Sequence, residues 1–326
     1  MDKLFRVTYH RHSGFSVRVG ATLLVFDYWR GEGGEMPEHA AITQNTLEAC
    51  EKVYVFVSNA RPDHYDPVIY DWKDAENPDR VTYIIAEDMP PEAYGIRIRP
   101  GMEIELDANT RVKAYESTDI GVSLLVTAYG VRMFYAGNLN LWHWCEESSI
   151  MEIEQAEMKF RSAVAPLIGQ QIDLCMFPVD PRQGFRYSAG ADYFILSVFP
   201  RIFVPMQFWN RSDVLRDFKR TASNDRTVVY PMVKEGICAD IEMKQDTFTI
   251  YEHDWQKALD RAVPTARSRL VPLTDGLAEE DANPFSNAAN PVSFFGQEET
   301  EGEENPPEPP AGAEEYAEDA DERYQR

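Results

Sequence analysis

The chain has 326 residues, 44% of them hydrophobic and 12% aromatic, enough for one large core or two modest domains. Its 55 acidic and 32 basic side chains give a formal charge of −23, which argues against nucleic acid or an anionic membrane as partner, since both demand a basic face. The charge is uneven, with 16 acids and 2 bases from Asp275 to Arg326 against 39 and 30 in the remainder. The four cysteines, Cys50, Cys145, Cys175 and Cys238, form no Cys-x-x-Cys pair. Reduced, mostly buried thiols in the cytoplasm are therefore expected, rather than a zinc ribbon or a redox dithiol. The first residues lack the apolar stretch of a secretion signal, and no apolar run approaches the ~20 residues of a membrane span.

In chain order, Phe5 to Tyr9 reads as a strand and His10 to Phe15 as a turn. Ser16 to Val19 and Thr22 to Phe26 read as a hairpin across Gly20-Ala21, closing on Asp27. Thr46 to Lys52 is predicted as a short helix with Asn45 as its N-cap. Val53 to Val57 is a run of β-branched and aromatic residues, the composition of a buried strand. A polar loop, Ser58 to Asp66, follows, and Asp66-Pro67 reads as the cap and first residue of a helix to Ala75, because proline has no N–H to lose there. Strand, polar loop and helix in that order place a site on the loop.

Further strands are predicted at Val81 to Ala86 and Arg111 to Glu116, followed by Ser117-Thr118-Asp119. A second hairpin, Ser123 to Thr127 with Val131 to Tyr135, closes on Asn138 as the first closes on Asp27, a likeness that suggests two related β-rich halves. Ser149 to Gly169 has helical spacing of Met151, Ile153, Ala156, Met158, Phe160, Ala163, Val164 and Leu167. Strands at Ile172 to Val179, Arg201 to Met206 and Thr247 to Glu252 are predicted, with helices at Ala189 to Phe199 and from Ser212 to Ala222. The last domain boundary is set at residue 273. Residues 274–326, rich in acids and proline, cannot bury enough apolar surface to offset their ordering entropy, and a disordered acidic tail is expected.

Several segments together resemble the metallo-β-lactamase superfamily, in particular its branch similar to L-ascorbate-6-phosphate lactonase. Ser-Asn-Ala-Arg-Pro-Asp-His (58–64) resembles the signature Ser-His-x-His-x-Asp-His, with Asn59 and Arg61 in place of two histidines. Tyr-His-Arg-His-Ser-Gly-Phe (9–15), Phe-Asp-Tyr-Trp (26–29), Tyr-Ala-Gly-Asn-Leu-Asn (135–140) and Val-Pro-Met-Gln-Phe (204–208) resemble four further segments of that branch, in the same order. The resemblance implies an α/β fold, a four-layer αββα sandwich over residues 1–273, and a dinuclear metal-dependent hydrolase.

Carried over residue by residue, the ligand positions hold Asn59, Arg61, Asp63, His64, Thr118, Asn138 and Gln207, of which only Asp63 and His64 match. Neutral amides are poor metal ligands, and a guanidinium offers only donors. The expectation is an eroded site without the dinuclear centre and without cofactor, in which Arg61 pairs with Asp63 and Asn59, Asn138 and Gln207 complete a hydrogen-bond network. That makes a non-catalytic pseudo-hydrolase keeping a polar pocket for a small anionic or sugar-like ligand. The alternative is one divalent metal, zinc or manganese, held by Asp63, His64 and a third donor such as Asp180, serving hydrolysis of a lactone or phosphoester. A third reading is a protein-binding module acting through its surface and acidic tail. His12, Asp27, His143, Asp180 and Arg182 are further pocket candidates, His12 and His143 in packing or hydrogen-bonding roles and Arg182 as a fork for an anion.

Overall fold

The structure, a computed structural model, describes residues 2–73, 77–144, 146–245 and 247–253. The chain opens with three antiparallel strands, β1 (Lys3–Arg11), β2 (Gly14–Val19) and β3 (Thr22–Phe26). Helix α1 (Gln44–Glu48) leads into β4 (Lys52–Val57), β5 (Val81–Ala86) and β6 (Ile96–Ile98), which run parallel to β3. Strands β7 (Glu103–Asp107), β8 (Thr110–Tyr115), β9 (Ser123–Ala128) and β10 (Val131–Tyr135) form an antiparallel meander. Then α2 (Ile150–Val164), β11 (Leu174–Pro178), α3 (Ala189–Val198), β12 (Ile202–Met206), α4 (Val214–Ala222) and β13 (Val228–Val229) alternate. Strands β14 (Cys238–Met243) and β15 (Phe248–His253) return to the first sheet.

The two sheets are ordered β15-β14-β1-β2-β3-β4-β5-β6 and β13-β12-β11-β10-β9-β8-β7. From β1 to β6 and from β8 to β13 the pairing sequence is the same, two antiparallel steps and then three parallel ones. The likeness of the two hairpins in sequence is thus a likeness of two half-sheets. Their inner faces meet where Phe26 stacks on Phe56 at 5.1 Å and on Tyr135, from the other sheet, at 5.0 Å. Helices cover the outer face of the second sheet through Phe160 of α2, Phe194 of α3 and Phe218 of α4, which pack on Phe177, Phe134 and Phe203. The outer face of the first sheet takes a 3-10 turn, Pro67–Trp72, capped by Asp66 as its sequence predicts. The αββα layering follows.

Several local expectations are corrected. Helix α1 begins two residues early because Thr43, not Asn45, accepts the Thr46 N–H. Helix α4 starts at Val214, and no side chain caps it. Helix α2 starts with a Ser149–Glu152 capping box, but its buried residues, Phe160, Ala163 and Val164, are confined to one face near its C-terminal end, whereas Met151 and Met158 are 65% and 69% exposed. Strands β7 and β14 add to those the sequence predicts, and the short β6 falls between Pro90-Pro91 and Pro100-Gly101, where short strands and turns are expected. Residue 145 and the acidic tail from 274 onwards lie outside the described residues. Among the described residues no helix is long and apolar enough to cross a membrane.

Candidate active site

The ends of β1, β3, β4, β8, β10, β11 and β12 converge on one edge of the sandwich, and every side chain of the site comes from the loops there. Two glycines allow the loops to close. Gly121 has φ +79° and Gly137 φ +56°, and a Cβ on either would strike Ser58: its carbonyl oxygen at Gly121, its Oγ, at 2.7 Å, at Gly137. Backbone strain gathers at the same edge. Among the described non-glycine residues seven have positive φ, and five of them, His12, Asp27, Trp144, Gln207 and Trp209, belong to these loops. Each such residue costs on the order of 1–3 kcal/mol and persists only where its surroundings enforce it, a pattern typical of functional sites.

Asp27 is the anchor. It is wholly buried and accepts from the Ser58 N–H at 2.7 Å, the Ser58 hydroxyl at 2.5 Å, the Tyr135 hydroxyl at 2.7 Å and His64 Nδ1 at 2.5 Å. Buried polar groups need such partners, and here all are supplied by short contacts across both sheets. With Nδ1 donating to Asp27, the remaining His64 nitrogen, Nε2, faces the cluster. Burial opposes charge on this imidazole, but the Asp27 carboxylate outweighs it and holds the pKa above the ordinary value.

His12 Nε2 lies 3.2 Å from Asp63 Oδ2. Burial lowers the His12 pKa, which keeps the ring a neutral donor. Burial alone would raise Asp63, yet the hydrogen bond from His12 and the charge of His64 bring it down to about 2. One ligand atom from each of His12, Asp63 and His64 lies within 4.8 Å of the others. Two imidazoles and a carboxylate make a donor set suited to zinc, manganese or iron. The buried Asp27 behind His64 is the outer partner that commonly orients a metal-ligating histidine. The residues present therefore fit one metal.

Asn59 folds back locally: its side chain donates to Ser58 Oγ at 2.9 Å and accepts from the Arg61 N–H at 3.0 Å. Arg61 does not pair with Asp63. Its Nε and Nη2 donate to Asp119 Oδ2 at 3.0 and 2.8 Å. Asn138 also donates to Asp119, at 3.2 Å, and accepts from Gln207 at 3.0 Å. Gln207 Nε2 stands 3.1 Å from His64 Nε2 and donates to Ser13 Oγ at 3.2 Å. The expected network of Asn138 and Gln207 is thus present. It links through Asp119, whereas Thr118, one residue away, donates to the Asn140 carbonyl. Asp119 carries no sequence signal beyond its strand-end position.

Asp180 is not a third donor to Asp63 and His64, nor an acceptor for Arg61 or His64. It is consumed by Arg182, whose Nη2 donates to it at 2.6 Å, and by the Trp209 indole at 3.4 Å. The third donor is His12, two residues before the point where β2 begins. Arg182 lies between two indoles, 4.3 Å from the Trp209 centroid and 6.0 Å from that of Trp144. Trp209 in turn packs on His12 at 4.5 Å, and Trp29 meets His12 at 5.8 Å. His143 is buried, with Nε2 3.1 Å from the Arg186 carbonyl, away from the cluster.

No protein-family model and no curated protein matches the chain. Among solved structures it is similar to Igni18, a metallo hydrolase from the archaeon Ignicoccus hospitalis, at 15% identity and a TM-score of 0.51, over 74% of this chain and 100% of that one. It is also similar to the metallo-β-lactamase fold protein YhfI from Bacillus subtilis, at 11% identity and a TM-score of 0.48, over 73% and 99% of the two chains. A third is CmlA, a diiron β-hydroxylase from Streptomyces venezuelae, at 12% identity and 0.47, over 74% of this chain and 54% of that one. With two mixed sheets between flanking helices, the chain has the metallo-β-lactamase fold that its motifs imply.

Proposed function

We propose that the chain is a hydrolase with a single divalent transition metal, held by His12, Asp63 and His64, acting on a small anionic or sugar-like lactone or phosphoester. The observation that carries this reading is the convergence of those three donors within 4.8 Å on a histidine already fixed by a buried carboxylate. When bound there, such a metal supplies Lewis-acid polarisation of a carbonyl or phosphoryl oxygen and acidifies a coordinated water. Asp27 sets the tautomer that leaves His64 Nε2 as a ligand atom. His12 would ligate through Nε2 as the neutral Nδ1–H tautomer, its one ring proton shifting from the Nε2 that now faces Asp63 to Nδ1. Arg61, clamped by Asp119, puts a guanidinium at a position the family resemblance gives to a metal ligand, so one ion rather than two is expected. Arg182 and the indoles of Trp209 and Trp144 form a rim against which an anionic or ring-bearing substrate can be oriented.

A second reading has one observation in its favour. Gln207 Nε2 already stands 3.1 Å from His64 Nε2, and His12 is satisfied by Asp63. Both imidazoles then have partners without metal, as in a pseudo-hydrolase that binds its ligand without turning it over. Plasma mass spectrometry of protein purified without chelator separates the two. The metal reading expects about one equivalent, lost in Asp63→Ala and in His12→Ala. Protein that stays metal-free after incubation with zinc and manganese sinks it and leaves the pseudo-hydrolase. A role for the acidic tail in partner binding is a separate proposal, tested by whether a chain ending at residue 273 loses partner capture.

A further inference from the structure

Outside the loops just described, helices pack on the outer face of the second sheet at Phe134, Phe177 and Phe203 of β10, β11 and β12. Side chains alternate along β8. Val112 and Ala114 face the core with no exposure, whereas Arg111, Lys113 and Tyr115 point outward. Register brings Arg111, Thr127 and Arg132 into one row across β8, β9 and β10. Together they line a depression of about 240 Å³. In a chain of net charge −23, this hollow gathers three cations. Glu103 is the one acid in its lining, 3.9 Å from Arg111 Nε.

A second observation is independent of the charge count. Arg132 is fixed by Gln170, which accepts from its Nη2 at 2.7 Å, but its Nε is buried and has no hydrogen-bond partner among the described residues. A buried guanidinium N–H without an acceptor is costly, and such groups in native proteins commonly mark an absent ion or ligand. A solvated sheet face would leave the nitrogen in water rather than buried. Lys113 is held over the Tyr115 ring at 5.5 Å, which restricts its ammonium to the same hollow.

We propose that Arg111, Lys113 and Arg132 form a second ligand site that takes a phosphoryl oxyanion, either free phosphate or the phosphate of a small organic molecule. The guanidinium of Arg132 offers its unused Nε–H, Arg111 and Lys113 supply the facing charges, and Tyr115 and Leu125 provide an apolar wall for an attached organic group.

The test is isothermal titration of the full-length protein with inorganic phosphate and, separately, with phenyl phosphate. Each is run on the wild type, on the Arg111→Gln/Lys113→Gln double variant and on Asp63→Ala. The expected result is binding that Asp63→Ala retains and that the double variant weakens at least tenfold, a loss of two charge-assisted contacts. Equal affinity for both probes identifies free phosphate, and tighter phenyl phosphate identifies an organic ester. Absence of binding, or binding lost in Asp63→Ala and kept in the double variant, overturns the proposal, the latter by placing the anion at the candidate metal centre. Arg132→Lys, which keeps the charge and removes Nε, provides the second variant, and a thermal melt of each establishes that it is folded. Unchanged affinity in a folded Arg132→Lys also counts against the assignment.

Discussion

Asp27 concentrates more of the site than any other residue. Its four donors come from the loop after β4 and from β10, so its carboxylate ties the two sheets to the histidine that faces the cluster. Asp27→Asn replaces one acceptor oxygen by an amide that must itself donate, and sets it against four donors. His64 then loses the acceptor that fixes its tautomer. Removal of such an outer partner typically lowers metal affinity 10–100-fold. The expected outcome for Asp27→Asn is a loss of that order in zinc affinity by competition with a chromophoric chelator, together with a lower melting temperature. Wild-type affinity in a folded variant would show that His64 is oriented by something else. A related dependence follows from the raised His64 pKa: with Nδ1 donating to Asp27, the titrating proton sits on Nε2 and competes with metal for that atom, so occupancy falls as pH falls.

At the scale of elements, α2 shows how a hydrophobic pattern is divided by what lies beneath it. Its apolar positions recur at helical spacing along the whole segment, but Phe160 touches Phe177 and Tyr193 while Met158 stays in solvent. Two residues apart, Met158 and Phe160 lie on opposite faces of the helix, and the two faces should therefore respond differently to substitution. Phe160→Ala, which empties a fully buried site, should cost about 3–5 kcal/mol, whereas Met158→Gln should lie within about 0.5 kcal/mol of wild type. Paired urea denaturations measure both. Comparable losses would mean that the exposed face of α2 is buried in solution by some other surface. The cross-strand pair of Arg6 and Asp240 is the counterpart in the first sheet. They face each other in register, with Nε–Oδ1 at 2.6 Å, and His253 Nε2 adds a contact from β15 at 2.7 Å.

For the whole molecule these buried groups predict a two-step acid sensitivity. His10 is enclosed between the Ala40 carbonyl and Ser16 Oγ, and burial lowers its pKa from 6.5 to about 4. The unfolded chain binds the proton first, so the contribution of His10 is complete above pH 6.5 and is lost as pH falls through 4, about 3 kcal/mol in all. Asp240 follows. Burial opposes its charge, but Arg6 and His253 hold it at about 2, so its contribution, about 2 kcal/mol, is present above the ordinary carboxylate value of 3.8 and disappears towards pH 2. Urea stability measured from pH 7 to pH 3 should decline across the first window in the wild type and decline less in His10→Gln. Equal slopes in the two proteins would rule out His10 as the source.

The order of the strands' hydrophobic runs, the two hairpins with their polar corners, the capped turn after Asp66 and the loops that carry the site are all legible along the chain, because each is a local matter of side-chain period, proline geometry or glycine. The sequence also singled out Asp63, His64, Asn138 and Gln207, since short motifs fix which residues stand at strand ends. Only the tertiary structure decided which of those ends meet. It turned Arg61 to Asp119 rather than Asp63, gave Asp180 to Arg182, and brought His12 to Asp63 as the third donor, although 51 residues separate them in the chain. The physical reason is that a charged side chain is satisfied by whichever partner the packing brings within hydrogen-bond reach, and that choice is made by the closure of loops across two sheets. No pattern along one strand contains it.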